Sequence, residues 1–189
     1  VMELSRGQIE SRDLLDKTKF IYRNLPESWA LSPVSVDNAS AFRISGSESE
    51  LTALPSTEDA GRGKTASLVI QDEADFHQYA EANLIAVKPT IDAGGQLIMA
   101  STVNKRSLRS PFKNFYGGSP GNGWTKVFLP WSARPERNTE WYERVKREAS
   151  DLPEAQDLGV DLYMEQEYPA TEAEALRPAR AMAAFDRES

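Results

Sequence analysis

The sequence has 189 residues, a net charge of -7, no cysteine and a single histidine. This length suits one domain, or one domain with an appendage. The lack of cysteine excludes disulfide bonds and thiolate metal sites, and no apolar run approaches the roughly 18 residues of a membrane span.

The charge is unevenly distributed along the chain. Residues 101–150 hold 10 basic and 4 acidic side chains, residues 1–100 hold 9 basic and 15 acidic ones, and residues 151–189 hold 3 and 10. A basic middle between acidic flanks indicates either a phosphate-facing surface or a face that pairs with the flanks.

The first 26 residues predict a strand followed by a helix. Val1–Ser5 is typical of the end of a strand, and a turn follows it at Ser5–Gly7. The helix would be capped by Ser11 and ended by Pro26, and helical spacing predicts one buried stripe. Its members are Leu14, Thr18, Ile21, Tyr22 and Leu25.

Residues 27–54 predict a loop and then a hairpin. Residues 27–39 are loop-like, whereas Ala41–Ile44 and Glu50–Leu54 are two short strand patterns separated by Ser45-Gly46-Ser47. We expect an inserted β-hairpin that need not join the main sheet in register.

The stretch Gly61-Arg62-Gly63-Lys64-Thr65 invites comparison with a phosphate-binding loop. That motif requires a glycine five residues before Gly63, where this chain has Glu58, and it must open a helix. This stretch instead runs into a strand pattern. It is either a glycine-rich turn that lets Arg62 face a site or a plain loop.

Residues 67–73 carry the most informative pattern. Leu68–Gln71 predicts a buried strand of a parallel sheet, and Asp72 and Glu73 follow at its carboxyl end, where ligands bind in such sheets. This is the pattern of a Walker B strand. Asp72 would hold Mg²⁺ of a nucleoside triphosphate through water, and Glu73 would position the attacking water. The alternative is a strand that ends in a solvated acidic turn.

A second strand follows the first after a helix. The pattern predicts a helix from about Gln78 to Lys88 closed by Pro89, a turn at Gly94-Gly95 and a strand at Gln96–Ala100. Together with Leu68–Gln71 these form a right-handed βαβ unit. His77 lies between the carboxylates and the helix, and we assign it no catalytic role.

Polar residues close the second strand. Ser101, Thr102 and Asn104 follow it directly and are predicted to lie near the γ-phosphate, where they could sense the triphosphate and move a neighbouring segment. The alternative is an ordinary polar loop.

The rest of the chain predicts a basic loop and helices. Residues 105–123 suggest a mobile loop around a short helix near Pro111–Tyr116, and Trp124–Trp131 suggests a strand. Asn138 or Thr139 would cap a helix that ends near Ala149. Thr171–Glu174 is a capping box for a last helix, and the tail from Arg177 is expected to be loose.

The order of these motifs resembles the ATPase domain of the large terminase subunit, the motor that packages DNA into tailed-bacteriophage heads. The resemblance rests on an ordered set that covers most of the chain. The set comprises the hairpin, Leu54-Pro55-Ser56, Gly61-Arg62-Gly63, Leu68–Glu73, Pro89-Thr90, Gly94-Gly95, Ile98–Thr102, Trp131–Tyr142, Glu165–Pro169 and Glu174-Ala175. Leu176 departs from it, because the family commonly has an aromatic residue there.

The resemblance implies an α/β fold of the P-loop NTPase (RecA-like) class, with a predominantly parallel sheet flanked by helices. It places the family's phosphate loop upstream of Val1 and its nuclease domain after the last residue, so we expect an incomplete motor domain. Residues 1–150 would be the later part of the ATPase core, and residues 151–189 a linker segment that leads towards the nuclease domain.

By the same resemblance the whole protein hydrolyses ATP with Mg²⁺ and moves double-stranded DNA. Glu73 would be the general base, Asp72 the Mg²⁺ residue, and Ser101, Thr102 and Asn104 the coupling residues. Arg62, Lys105 and Arg106 are candidate phosphate or DNA contacts. The implied partners are a small terminase subunit, the portal of a prohead and further copies in a ring, in the host bacterial cytoplasm and with no membrane.

Two other functions stay open at this stage. Asp72-Glu73-Ala74-Asp75 spells the motif of DEAD-box helicases, although the landmarks Trp131–Tyr142 and Glu165–Pro169 argue against that family. The chain could also be a non-catalytic fragment that binds a partner.

Overall fold

The computed structural model describes residues 1–29, 32–92 and 94–179. The chain divides into two compact units, Val1–Ser101 and Thr102–Ser189. The predicted boundary near residue 150 concerns family domains and stays a prediction. In the described ranges, no helix is both long enough and apolar enough to cross a bilayer.

The first unit is a six-stranded sheet with two helices. The elements in chain order are β1 (Met2–Ser5), α1 (Gln8–Arg23), β2 (Val34–Asp37), β3 (Ala41–Ile44), β4 (Ser49–Pro55), β5 (Leu68–Asp72), α2 (Ala80–Ile91) and β6 (Gln96–Ala100). The strand order is β2-β3-β4-β1-β5-β6. Strands β4, β1, β5 and β6 are parallel, whereas β2 and β3 are antiparallel to their neighbours. This confirms the predicted α/β class with a predominantly parallel sheet.

The predicted hairpin is present as β3 and β4, but it belongs to the main sheet. Strand β4 pairs in parallel with β1, with Met2 beside Thr52 and Leu4 beside Leu54. Strand β2 extends the antiparallel side and lies in the segment that the sequence predicted as loop. Its four residues alternate valine with polar residues, which is too short a pattern to indicate a strand without its partner β3.

The predicted βαβ unit runs from β5 through α2 to β6. The prediction that Pro89 closes the helix is wrong, because α2 continues to Ile91. Pro89 lies in the last turn, on an exposed side of the helix. Ile85, whose carbonyl would accept the hydrogen bond that Pro89 cannot donate, is exposed on the same side, where water can replace that bond. Gly95 forms the return turn, and a Cβ there would lie 2.6 Å from the carbonyl oxygen of Ala66.

Helix α1 confirms the predicted buried stripe only in part: Tyr22 packs against the apolar cluster and Leu14 and Thr18 are half-buried, but the most buried apolar residue lies beside the stripe. Leu15 is buried against Phe42 and Ala53, whereas Ile21 is 61% exposed. Ser11 does not cap the helix: Gly7 occupies the N-cap position, and the Ser11 hydroxyl donates to the carbonyl of Gln8. Apolar residues occur all round this helix, so its period alone does not identify the buried side.

Lys19 also lies on the buried side of α1. Its ammonium donates to the carbonyl of Asn38 at 2.6 Å and lies 3.1 Å from the Asp37 carboxylate. The aliphatic part of a lysine can therefore take a core position that the apolar pattern omits. On the opposite face of the sheet, Met2, Leu4, Val69 and Val87 form a second apolar cluster.

The second unit is helical where it is regular. Its helices are α3 (Pro111–Gly118), α4 (Thr139–Ala149), α5 (Pro153–Leu158), α6 (Val160–Glu167) and α7 (Glu172–Leu176). Asn138 caps α4 by accepting from the Trp141 amide at 2.8 Å, and the predicted capping box opens α7. Helices α5 and α6 were not predicted. The part of the predicted loose tail beyond Ala179 lies outside the described residues.

The predicted strand at Trp124–Trp131 is wrong. Residues 124–130 have no regular secondary structure, and Trp131–Ala133 is a short 3₁₀ turn. Val127 and Leu129 are 70% and 72% exposed. A strand requires a hydrogen-bonded neighbour, and alternation of side chains alone does not supply one.

Leu15→Ala should lower the free energy of unfolding by about 2–5 kcal/mol, because it removes a buried side chain from the cluster with Phe42 and Ala53. Ile21→Ala, on the same helix, should change it by less than about 0.5 kcal/mol, as at ordinary surface sites. Urea denaturation followed by circular dichroism measures both. Equal losses would contradict the observed burial of Leu15 and exposure of Ile21.

Candidate functional site

Strand β5 carries the two carboxylates to the edge of the sheet. It lies between β1 and β6, and its last residue, Asp72, is beside Ala100, the last residue of β6. The next residue on each strand is Glu73 and Ser101. Adjacent strands lie about 4.8 Å apart, so these polar residues meet at the carboxyl edge of the sheet.

Glu73 has a left-handed backbone conformation. Its φ and ψ are 53° and 40°, a region that residues other than glycine rarely enter. The conformation costs roughly 1–2 kcal/mol. It turns the chain sharply out of β5, and such strain occurs disproportionately at functional sites. Glu73 as a whole residue is half-buried.

Two side chains hold this turn in place. The ring Nε2 of His77 donates to the carbonyl oxygen of Asp72 at 2.8 Å. The hydroxyl of Ser101 accepts a hydrogen bond from the backbone amide of Asp75 at 3.1 Å. The end of β6 is therefore bound to the turn that carries Glu73.

His77 extends into a buried polar network. It is hydrogen-bonded to the side chain of Asn83, and burial lowers the pKa of its ring below the usual value, which favours the neutral form. Asn83 is fully buried and accepts from the hydroxyl of Ser56 at 2.5 Å. The network thus connects the turn after β5 to the loop after β4.

The sequence pattern does not identify His77, Asn83 and Ser56 as residues near the site. His77 was assigned no catalytic role, and in the structure it positions the backbone of Asp72. A single histidine five residues after a carboxylate pair is a weak signal. Asn83 is separated from Ser56 by 27 positions and nothing in the local pattern connects them.

Glu3 lies on β1, the strand that pairs with β5, and is 3% exposed. Its Oε1 accepts from the Thr18 hydroxyl at 2.8 Å, and its Oε2 has no hydrogen-bond partner among the described residues. Burial raises the pKa of this carboxyl, and the nearby charge of Asp72 adds to the increase. The protonated acid is therefore the form that this position favours.

Arg62 lies in a series of turns after β4. Its guanidinium pairs with Asp59 at 3.0 Å, and the side chain is 66% exposed. Both glycines beside it have positive φ, 84° at Gly61 and 72° at Gly63, so substitution there would strain the turn. The stretch is a loop with an exposed cation. It does not open a helix, which agrees with the argument that it is not a phosphate-binding loop.

The remaining predicted residues belong to the second unit. Asn104 closes a turn: its side chain accepts from the Arg106 amide at 2.9 Å, and its carbonyl accepts from the Lys113 ammonium at 2.7 Å. Thr102 is half-buried. Arg106 is exposed and pairs with Asp157 at 2.5 Å.

Lys105 is not placed as predicted. It is fully buried, and its ammonium donates to backbone carbonyls of Glu174, Ala175 and Arg177. A surface contact between Lys105 and a phosphate or DNA is incompatible with this burial. Four lysines and arginines of the basic middle pair with acidic residues after position 150. The pairs are Lys105–Glu165, Arg106–Asp157, Lys126–Glu172 and Lys146–Asp161. These contacts favour pairing with the acidic flank over a phosphate-facing surface.

The donor set at the end of β5 suits Mg²⁺. Groups of three or more acidic, histidine or cysteine side chains that could hold a metal are absent from the described ranges. Mg²⁺ usually keeps several waters and takes one or two carboxylates together with substrate phosphates. Asp72, with Glu73 next to it, supplies such a pair.

Two solved structures resemble this chain. One is the ATPase domain of the large terminase of Thermus phage P74-26, with 20% identity and a TM-score of 0.58; the match covers 89% of this chain and 74% of that one. The other is a point mutant of the same domain, with 20% identity, a TM-score of 0.61 and coverage of 89% and 75%. No protein-family model and no curated protein matches the sequence. The likeness shows the fold, a mixed α/β sheet flanked by helices like that of a phage terminase ATPase domain.

Glu3→Gln should raise the free energy of unfolding at pH 7, because a neutral amide has no pKa that burial can raise and so removes the stability that Glu3 loses with increasing pH. Because the pKa of Glu3 is raised, the stability that this group contributes is fully present below the unfolded value near 4.5 and is lost as pH rises through the folded pKa. Denaturation midpoints from pH 4 to 8 should therefore diverge with increasing pH. For exposed Glu10, whose pKa is lowered by its own backbone amide and Arg6, Glu10→Gln should give no gain. A wild type as stable as the variant at pH 8 would contradict the burial argument.

Proposed function

We propose that the chain is part of the ATP-hydrolysing motor of a phage terminase large subunit, which moves double-stranded DNA into a prohead. The observation that carries the proposal is the arrangement at the carboxyl edge of the sheet. Asp72 and Glu73 leave β5 through a strained turn, and Ser101 at the end of β6 is bonded to that turn. The likeness to a phage terminase ATPase domain supports the same function.

Each group at the site has a distinct proposed role. Bound Mg²⁺ would neutralise charge on the β- and γ-phosphates. Asp72 would hold that ion. Glu73 accepts a proton from the attacking water as general base. His77 fixes the carbonyl of Asp72 and thereby orients the turn without touching the substrate.

Ser101 and Thr102 are proposed to couple the nucleotide state to movement. Because the Ser101 hydroxyl accepts from the Asp75 amide, a shift of the turn when the γ-phosphate leaves is passed to the end of β6. Asn104 shapes the turn that follows. Arg62 and Arg106 are exposed and are proposed to contact phosphates, of the nucleotide or of DNA.

The proposed partners follow from this function. They are double-stranded DNA, a small terminase subunit, the portal of a prohead and further copies of the motor in a ring, all within the host bacterium. A DEAD-box-like helicase would share the Asp72-Glu73-Ala74-Asp75 sequence. Hydrolysis stimulated by RNA rather than by double-stranded DNA would favour that alternative, and failure to bind nucleotide would favour a non-catalytic fragment.

Glu73→Gln should retain ATP binding and reduce hydrolysis by roughly 10²-fold or more, because it preserves shape and removes the base. Asp72→Asn should also weaken Mg²⁺-dependent binding. The assay is ATP binding and turnover in an ATPase-competent protein that contains this chain. Glu81→Gln is the matched control, an exposed acid on the adjacent helix α2. Turnover of Glu73→Gln within about threefold of wild type would remove Glu73 from the mechanism.

The double variant Ser101→Ala, Thr102→Ala should leave the ATP dissociation constant nearly unchanged and abolish DNA translocation. Neither residue carries charge, so neither adds much to triphosphate affinity, but Ser101 joins β6 to the turn. Nucleotide binding and packaging are measured on one preparation. Ser107→Ala is the control, since the Ser107 hydroxyl donates only within its own loop, to Arg109. Normal packaging by the double variant would show that this stretch is only a polar loop.

A further inference from the structure

Among the described residues of the second unit, Lys105 is the most completely enclosed cation. Its side chain is 0% exposed, and its ammonium donates to the backbone carbonyls of Ala175 and Arg177 at 2.8 Å each, and to that of Glu174. The Glu165 carboxylate lies 3.5 Å away. Helix α7 ends here, and the last carbonyls of a helix have no partner within it. The lysine satisfies them and opposes the negative end of the helix.

The backbone of Lys105 is attached to the same segment. Its amide donates to the Gln166 side chain at 3.1 Å, and its carbonyl accepts from the Ala179 amide at 3.3 Å. Gln166 is itself 2% exposed. Lys105 thus binds three parts of the α6–α7 segment, which runs from Glu165 to Ala179, through its amide, its carbonyl and its ammonium.

The residues around Lys105 are fixed as well. Val103 is buried, and the carbonyl of Asn104 accepts from both the Lys113 ammonium and the Ser107 amide. Burial lowers the pKa of the Lys105 ammonium, while Glu165 opposes that shift. A buried charge with this many partners is costly to break, because any vacated group is left unsatisfied.

Lys105 is close along the chain to the end of β6. It follows Ser101 by four residues, a span of at most about 14 Å when fully extended. A free loop of that length would absorb a small displacement at the end of β6. A residue held at three points would instead pass the displacement to the segment that holds it.

We infer that Lys105 is a positioning residue that anchors the coupling stretch Ser101–Asn104 to helices α6 and α7, so that movement at the nucleotide site is transmitted to those helices. The inference rests on the proposed motor function. It assigns Lys105 a role inside the protein in place of the phosphate or DNA contact expected from its charge.

The test is Lys105→Met in an ATPase-competent protein that contains this chain. Methionine fills much of the same space and lacks the ammonium. We expect DNA length translocated per ATP to fall more than tenfold, while the KM for ATP changes less than threefold and hydrolysis continues. Lys126→Met is the matched control. Lys126 also pairs with α7, through Glu172 at 2.6 Å, but that pair is exposed, so coupling should stay within twofold of wild type.

A Lys105→Met protein that translocates the wild-type length per ATP would overturn the inference. Should the variant fail to fold, amide hydrogen exchange on the wild type decides: nucleotide should change protection at residues 105–107 and in α7 at least threefold. Unchanged protection there would equally overturn it. Failure of the proposed function has a separate signature, which is hydrolysis that survives Glu73→Gln.

Discussion

The hydrogen bonds that close the turn after β5 are the constraint on which the candidate site depends. Without them, Asp72 and Glu73 would be two acidic residues at a strand end, free to point into solvent. His77 binds the carbonyl of Asp72, and Ser101 binds the amide of Asp75. Between these two fixed points Glu73 is held in a left-handed conformation that it would otherwise avoid.

The same contacts connect the turn after β5 to the neighbouring strand β6. Ser101 stabilises the turn and at the same time ends the neighbouring strand, so the site cannot rearrange without affecting β6. Four residues after Ser101, in the second unit, Lys105 donates hydrogen bonds to Gln166 of α6 and to Ala175 of α7. Electrostatics reinforce this arrangement, because cations of the basic middle pair with acidic residues after position 150.

Local patterns predicted the elements that local physics determines. The β5–α2–β6 unit, the capped helix α4 and the capping box of α7 each have their signals within a few residues. The order of these motifs also indicated the terminase-type fold. Features that depend on distant partners were missed or mistaken. Strand β2 needs β3, Trp124–Trp131 lacks a neighbour to pair with, and the buried side of α1 is selected by Phe42 and Ala53.

The site itself shows the same division. The carboxylate pair and Ser101 were predicted to lie at one edge because parallel strands end together. The roles of His77 and Asn83 could not be predicted, since their partners are backbone carbonyls and a loop 26 or 27 residues away. Lys105 was predicted as a candidate phosphate or DNA contact, because the sequence does not show that three carbonyls converge on its ammonium.

The central claim, that metal-bound nucleotide lies at the carboxyl end of β5, is tested most directly by paramagnetic broadening. Mn²⁺ replaces Mg²⁺ in a complex of ATP with a nucleotide-competent protein that contains this chain, and backbone amide signals are recorded. Amides of Asp72–Asp75 and Ser101 should broaden strongly. Those of Leu68 and Gln96, at the opposite ends of β5 and β6 and roughly 13 Å away along the strands, should broaden far less. Equal broadening at both ends, or none at Asp72–Asp75, would contradict the account.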